Sequence, residues 1–149
     1  MKKLLFIITL FIASCGYKPI YLNNNLKNIE FYEINIDGEN QINNQIINSL
    51  NLKEDNFNEE LAELFLTSAY AIDEISKNSK GITQTYRSSI SVSVKIIKND
   101  EIIKKRTFTD EFTYNKKENK FELTEYQANV KNELTNRTIE DLILFLNLE

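Results

Sequence analysis

A single thiol, at Cys15, is the group in this chain whose surroundings most clearly indicate a chemical modification. Two lysines follow Met1, an apolar run extends from Leu4 to Phe11, and the small residues Ala13 and Ser14 stand directly before the cysteine. A positive start, a short apolar segment and a small-residue cleavage site form a secretory signal peptide. With a cysteine at the cleavage point the pattern is a lipobox, so residues 1–14 are expected to be removed and Cys15 to be acylated. The alternative is an ordinary signal peptide with an unrelated cysteine nearby.

Other chemistry has no recognisable motif in the sequence. Histidine is absent, which excludes imidazole acid–base catalysis and His-ligated metal. The three glycines, Gly16, Gly38 and Gly81, are too few and too scattered to form a glycine-rich phosphate-binding loop. Acylation would also occupy the only thiol. We therefore expect neither an enzyme nor a bound cofactor or metal.

The charge of the chain argues against a general nucleic-acid-binding role. The sequence contains 18 Lys and Arg side chains and 22 Asp and Glu side chains. Removal of Lys2 and Lys3 with the signal peptide leaves 16 cations, and hence a net charge of −6 on a mature chain of 135 residues. Nucleic-acid-binding domains are typically strongly basic. A chain of this length suits one domain with one hydrophobic core.

The elements that would position functional groups begin after a tether. Residues 15–28, with Pro19 and three consecutive asparagines, are predicted to form the lipidated N-terminus and this tether. Apolar and polar side chains alternate over residues 29–37, as in a strand, which Asp37 and Gly38 end. Isoleucines and a leucine at helical spacing predict a short amphipathic helix over residues 41–50.

The remainder of the predicted domain, residues 29–149, contains three strands and a long helix. The first of these three strands is favoured from about Glu63 to residue 76, although the stretch from Phe57 also fits a helix. The clearest strand covers residues 85–97, where four side chains alternate inward (Ile90, Val92, Val94 and Ile96) with four outward (Ser89, Ser91, Ser93 and Lys95).

A tight turn at Asn99 and Asp100 predicts a hairpin to a partner strand over residues 102–114, because both turn residues tolerate positive φ. A helix is then predicted from Thr124, as its N-cap, to residue 148. The order β-α-β-β-β-α predicts an α+β fold. This is a two-layer sandwich in which two helices cover one face of a four-stranded, mostly antiparallel sheet.

The predicted mature start, Cys15-Gly16-Tyr17-Lys18-Pro19-Ile20-Tyr21, resembles that of the lipopolysaccharide (LPS)-assembly lipoproteins, the LptE family, as seen in alphaproteobacteria. Arg87, at the start of the clearest strand, stands where such proteins tend to have an arginine. The last helix is also similar, with Glu133, Arg137, Glu140, Leu142 and Ile143. The likeness covers the whole chain, from the short strand and helix through the meander to the closing helix.

This resemblance implies a lipid-anchored protein on the periplasmic face of the outer membrane. Such proteins are subunits of the LPS translocon. They plug the lumen of a large β-barrel partner, the LPS-assembly protein LptD, assist its assembly and contact LPS on its way to the cell surface. Barrel interiors are polar, so a plug needs a polar exterior around a small core. A charged fraction of 27% fits that requirement.

Lysines at the two ends of the predicted sheet are candidates for contact with LPS phosphates. An antiparallel meander brings the loop after the second strand and the exit of the fourth to one end. That end gathers five lysines, which with Glu118 give a charge of +4: Lys77, Lys80, Lys116, Lys117 and Lys120. The opposite end has a charge of +3, from Lys95, Lys98, Lys104, Lys105 and Arg106 against Asp100 and Glu101. Loop lysines that are simply solvated are the alternative at both ends.

Two other functions remain open from the sequence. A periplasm-facing lipoprotein that binds a solute or peptidoglycan would need a concave apolar pocket of about 300–1,000 Å³. A lipoprotein enzyme would need converging titratable groups with perturbed pKa values. A barrel plug instead needs a barrel partner and no deep pocket.

Overall fold

The structure is a computed structural model that describes residues 29–147. The predicted signal peptide, Cys15 and the tether lie outside these residues. The elements in chain order are β1 (Ile29–Phe31), β2 (Ile34–Gly38), α1 (Asn40–Ser49), β3 (Leu52–Glu54), β4 (Glu63–Lys77), β5 (Thr83–Lys98), β6 (Glu101–Asn115) and α2 (Lys120–Asn147).

The main sheet has four strands in the order β2-β4-β5-β6. The β2 strand runs parallel to β4, whereas β4–β5 and β5–β6 are antiparallel hairpins. Both helices pack on the same face, with α1 against β2 and β4 and α2 against β5 and β6. The predicted two-layer α+β sandwich with a mostly antiparallel sheet is confirmed.

The core lies between this sheet face and the helices. On β5 the four inward side chains predicted from the alternation are all buried, and Val92 is 0% exposed. The helices contribute apolar side chains at helical spacing: Ile42 and Ile46 from α1, and Val130, Leu134 and Leu142 from α2. The opposite face of the sheet carries no helix among the described elements, so small and polar side chains remain there in contact with solvent.

Two turns depend on residues with positive φ. Asn99 and Asp100 have φ values of 52° and 63°, as the predicted tight hairpin requires. Gly38, with φ +85°, ends β2, and a Cβ at this position would collide with the carbonyl oxygen of Ser68 in β4. The turn is closed by a hydrogen bond of 3.1 Å from the Glu39 amide to that same Ser68 oxygen. The chain therefore reverses from β2 into α1 against the backbone of β4.

The prediction of one continuous strand over residues 29–37 is wrong. The structure divides this stretch into β1, which pairs in parallel with β3 in a separate two-stranded sheet, and β2. At the break, the Tyr32 amide donates to the Ala62 oxygen and the Leu64 amide donates to the Glu33 oxygen, both at 2.9 Å. These two bonds, to Ala62 and Leu64 around the start of β4, interrupt the regular strand pairing. The prediction failed because an alternating pattern does not reveal where a strand changes its pairing partner.

The predicted start of the last helix is also wrong. The helix begins at Lys120, and the side-chain oxygen of Asn119 accepts a hydrogen bond of 2.8 Å from the Glu122 amide, as an N-cap does. Thr124 lies inside the helix, where its hydroxyl donates to the Lys120 oxygen. The stretch from Phe57 is not a helix but a loop of turns that leads into β4, so the favoured strand from Glu63 is confirmed. Within residues 29–147, neither helix is long and apolar enough to cross a membrane.

Candidate functional site

The five lysines predicted to meet at one end of the sheet do lie at that end. Lys77 ends β4, Lys80 lies in the β4–β5 turn, and Thr85 of β5 pairs with Asn115 at the end of β6. The Lys116 amide then donates to the Gln84 oxygen at 2.8 Å, which holds the start of the β6–α2 loop beside β5. We call this end, formed by residues 77–83 and 115–120, the lysine end.

Carboxylates near these lysines reduce the positive charge of the lysine end. Lys77 forms an ion pair of 2.9 Å with Glu74, and this hydrogen bond, with a further one from Thr83, lowers the pKa of the Glu74 carboxyl. Lys117 lies over the Tyr126 ring, 4.0 Å from its centroid, and Glu122 and Glu125 line the same surface hollow. Adding Glu74, Glu122 and Glu125 to the earlier count changes the charge of this end from +4 to +1. Lys80, Lys116 and Lys120 are its exposed cations outside these two contacts.

At the opposite end, three of the cations rest on aromatic rings. Lys95 lies 4.3 Å from the centroid of Phe65 on the open face of the sheet. On the helix side, Lys104 lies 5.8 Å from the Phe145 centroid, and Arg106 lies 5.0 Å from the Phe108 centroid. We call this end, with the β5–β6 turn and the start of β4, the hairpin end. Its cations are therefore partly used to cover apolar side chains rather than gathered around one point.

Arg87 lies on the open face of the sheet, near the lysine end of β5. Its guanidinium is 3.5 Å from the Glu111 carboxylate, and in register it faces Asp73 on β4 and Thr113 on β6. The buried Nε of Arg87 has no hydrogen-bond partner among the described residues. A buried donor without a partner is costly, so this nitrogen can bind a water molecule or an acceptor of a partner.

The open face of the sheet also has a shallow depression of about 370 Å³ beside Arg87. Its floor is formed mostly by small side chains that face one another across three strands, Ala69, Ser91 and Thr109 in one row and Ala71 and Ser89 in the next, where the charged Glu111 completes the row. The sequence predicted the polar row on β5 but not its small neighbours on β4 and β6. Such a surface admits the close approach of another backbone or a flat partner.

A hydrogen-bonded tyrosine pair lies on the other face, beneath α2. The Tyr70 hydroxyl donates to the Ser88 hydroxyl at 2.8 Å, and Ser88 is 3.1 Å from the Tyr114 hydroxyl. Burial raises the pKa of Tyr70 above its ordinary value, although the Ser88 hydrogen bond opposes this shift. Sequence reasoning missed this network, but extending the inward alternation of β5 by one step places Ser88 in the core. The network satisfies buried hydroxyls and brings no nucleophile or acid–base pair to the surface.

A second hollow, of about 260 Å³, lies between the free edge of β6 and α2. Phe112, Tyr126 and Val130 form its apolar floor, and Arg137 crosses it with ion pairs to Glu133 (3.3 Å) and Asp110 (3.6 Å). Its volume is below the range typical of small-molecule sites. Residues 29–147 also contain no group of three or more carboxylate or thiol side chains placed to hold a metal ion.

No protein-family model matches the chain, and no curated protein matches it. Several solved bacterial lipoproteins are similar in structure. Rare lipoprotein B from Shewanella oneidensis aligns with a TM-score of 0.56 at 8% identity, over 74% of this chain and 90% of that protein. A minor lipoprotein from Acinetobacter baumannii aligns with a TM-score of 0.55 at 12% identity, over 78% and 92%. The chain has the fold of these lipoproteins.

A third similar structure, lipoprotein B from Nitrosomonas europaea, aligns with a TM-score of 0.53 at 11% identity, over 86% of this chain and 88% of that one. The match thus extends over most of each protein, and no large part of the fold is left unmatched. With identities this low, the likeness is one of fold. The roles of individual side chains must be argued from this chain's own geometry.

Proposed function

We propose that this protein is an outer-membrane lipoprotein subunit of the LPS translocon, which plugs the β-barrel LPS-assembly protein and contacts LPS during its delivery. The observation that carries the proposal is the fold shared with lipoprotein B over most of the chain. The predicted acylation of Cys15 supplies the anchor, and the sequence resemblance of the mature start to the LptE family supports the same role.

The shape and polarity of the domain support a plug. Four strands about 4.8 Å apart and a helix layer about 10 Å away give a body roughly 20 Å across. Such a body suits the lumen of a barrel of about 22 strands, which is wide enough to hold a plug. The open sheet face, with Ser89, Ser91 and Thr109, presents small polar groups to a polar wall. A solute-binding lipoprotein is less well supported, because the larger hollow is floored by polar and small side chains and the apolar one is small.

The lysine end is proposed to contact LPS phosphates. Replacing its five lysines by glutamate turns a charge of +1 into −9, which should repel phosphates most strongly at low salt, where screening is weak. We expect LPS affinity to fall more than about tenfold at low ionic strength. Binding is measured with purified protein and LPS over a salt series, and circular dichroism checks the fold.

A smaller control reverses two cations of the hairpin end, Lys98→Glu and Lys105→Glu, which changes the charge by −4 against −10 for the five-site variant. We expect this variant to bind LPS as the wild type does. Undiminished binding by the five-site variant would remove the lysine end from the site, and a loss confined to the control would transfer the site to the hairpin end.

A further inference from the structure

The chain enters the described fold at the hairpin end. Strand β1 leads directly into β2, whose first residue, Ile34, pairs with Leu64 at the start of β4. Leu64 in turn pairs with Ile96, three residues before the β5–β6 turn. The segment that joins the domain to Cys15 therefore reaches the sheet beside this turn and at the opposite end from the lysine end.

The β5–β6 hairpin exposes large apolar side chains at this same end. Ile102 and Ile103 are 56% and 53% exposed, although they lie within β6 of the main sheet. The register shifts here, since Ile97 pairs with Ile102 and Ile96 pairs with Lys104, so Ile103 is the extra residue of a β-bulge. A bulge redirects side chains, and here it turns two neighbouring isoleucines to solvent.

The charged residues of the β5–β6 hairpin itself that flank these isoleucines are mostly basic. Lys98, Lys104, Lys105 and Arg106 flank them, against Asp100 in the turn and Glu101 at the start of β6. Segments that bind the surface of an anionic bilayer typically combine apolar side chains with adjacent cations. The apolar side chains enter the interface, and the cations stay at the level of the lipid phosphates. Carboxylates also lie at this end, in the β3–β4 loop (Asp55, Glu59 and Glu60) and at the start of β4, where Glu63 pairs with Ile97. They make that side of the end a poor lipid contact and leave β6, on the far side of β5, as the surface for lipid.

The length of the tether limits which end can face the membrane. Residues 15–28 are 14 residues, which span at most about 50 Å when fully extended. The β5 strand is 16 residues long and so also measures about 50 Å from end to end. The lysine end could reach the bilayer that holds Cys15 only with a fully stretched tether, whereas the hairpin end needs almost none.

We propose that the β5–β6 hairpin docks on the surface of the phospholipid leaflet that holds the acyl chains, with Ile102 and Ile103 in the interface. The proposal rests on the predicted acylation of Cys15. It fixes the orientation of the domain, because the lysine end then points away from the lipid. The hairpin thus acts as a second membrane contact beside the acyl chains.

A single tryptophan tests this docking directly, because the chain contains none. The acylated protein with Ile102→Trp is placed in vesicles of phosphatidylethanolamine and phosphatidylglycerol, without LPS. The matched variant is Ile82→Trp, since Ile82 is 45% exposed and lies in the β4–β5 turn of the lysine end. We expect blue-shifted emission for Ile102→Trp and at least about twofold stronger quenching by brominated lipids than for Ile82→Trp.

Three outcomes separate this proposal from the others. Equal quenching of both variants, or stronger quenching of Ile82→Trp, would overturn it while leaving the anchor intact. Protein that does not float with the vesicles would overturn both the acylation and the docking. Neither result depends on the barrel, so failure here is distinguishable from failure of the plug function, which is tested by the partner that co-purifies.

Discussion

At the scale of single residues, the alternation on β5 determines which substitutions the fold tolerates. Val92 is fully buried between sheet and helices, while its neighbour Ser91 lies on the open face opposite Ala69 and Thr109. Val92→Asp should cost about 4 kcal/mol or more, since it buries a carboxylate with no partner. Ser91→Asp should cost about 1 kcal/mol or less. Thermal or urea unfolding measures both, and equal losses would contradict the register.

The two glycines among the described residues, Gly38 and Gly81, allow a second comparison of paired substitutions. Both have positive φ, +85° at Gly38 and +77° at Gly81, but only Gly38 faces a neighbouring backbone where a Cβ would stand. Gly81→Ala should cost roughly 1–2 kcal/mol, the strain of an alanine in the left-handed region. Gly38→Ala should cost at least ~3 kcal/mol, because the β2–α1 turn must also move away from Ser68. Chemical denaturation of both variants tests the difference, and a milder effect at Gly38 would show that the turn yields easily.

At the scale of elements, the sequence predicted those whose signal is long and regular. β5 repeats its alternation over more than eight residues, and its hairpin to β6 has the turn residues that such a hairpin needs. The sequence predicted residues 29–31 as strand but not the break that separates β1 from β2, and it did not predict β3. A three-residue strand has no recognisable period, and the β1–β3 pairing depends on which backbone groups meet in space. The parallel pairing of β2 with β4 also follows from a chain reversal through α1 that local sequence does not specify.

The start of α2 shows how a cap can be misplaced from sequence. Thr124 and Asn119 are both good N-cap residue types, and only the structure shows that Asn119 accepts the Glu122 amide. Asn119→Ala should therefore destabilise the protein by ~1 kcal/mol. Thr124→Ala is the control and should be close to neutral, because Thr124 lies inside the helix and is exposed. Calorimetry of the two variants measures the loss of stability. A larger loss for Thr124→Ala than for Asn119→Ala would indicate that Thr124 is the N-cap, as the sequence predicted.

At the scale of the whole molecule, the sequence predicted which residues meet at each end of the sheet but not the net charge or the contacts of those residues. Connectivity alone brought the five lysines to one end, as expected. The neutralising neighbours, Glu74, Glu122 and Glu125, were not counted because their contacts with the lysines depend on the strand bulge near Glu74 and on a helix that begins at Lys120, four residues before the predicted start. The unpartnered Nε of Arg87 and the row of small side chains beside it likewise appear only when three strands are in register.

The hairpin end and the lysine end lie at opposite ends of the sheet, which defines how the domain can be oriented relative to the membrane. The hairpin end receives the chain from the predicted anchor and exposes Ile102 and Ile103, while the lysine end lies about 50 Å away. A plug with this orientation would hold its anchor at the periplasmic leaflet and extend its lysines into the lumen. The open sheet face would then lie against the barrel wall along most of the length of β5.

The proposed function is tested most directly by identifying the protein that contacts the open face of the sheet. The acylated protein, carrying a photo-crosslinking side chain at Ser91 on the open face, is irradiated in cells and purified in mild detergent, and the adduct is identified by mass spectrometry. A crosslinker at Ile82 provides a second position at the lysine end. We predict a one-to-one complex with the β-barrel LPS-assembly protein and an adduct with it from Ser91. Co-purification of no barrel, or an adduct with a soluble periplasmic protein in its place, would contradict the proposed function.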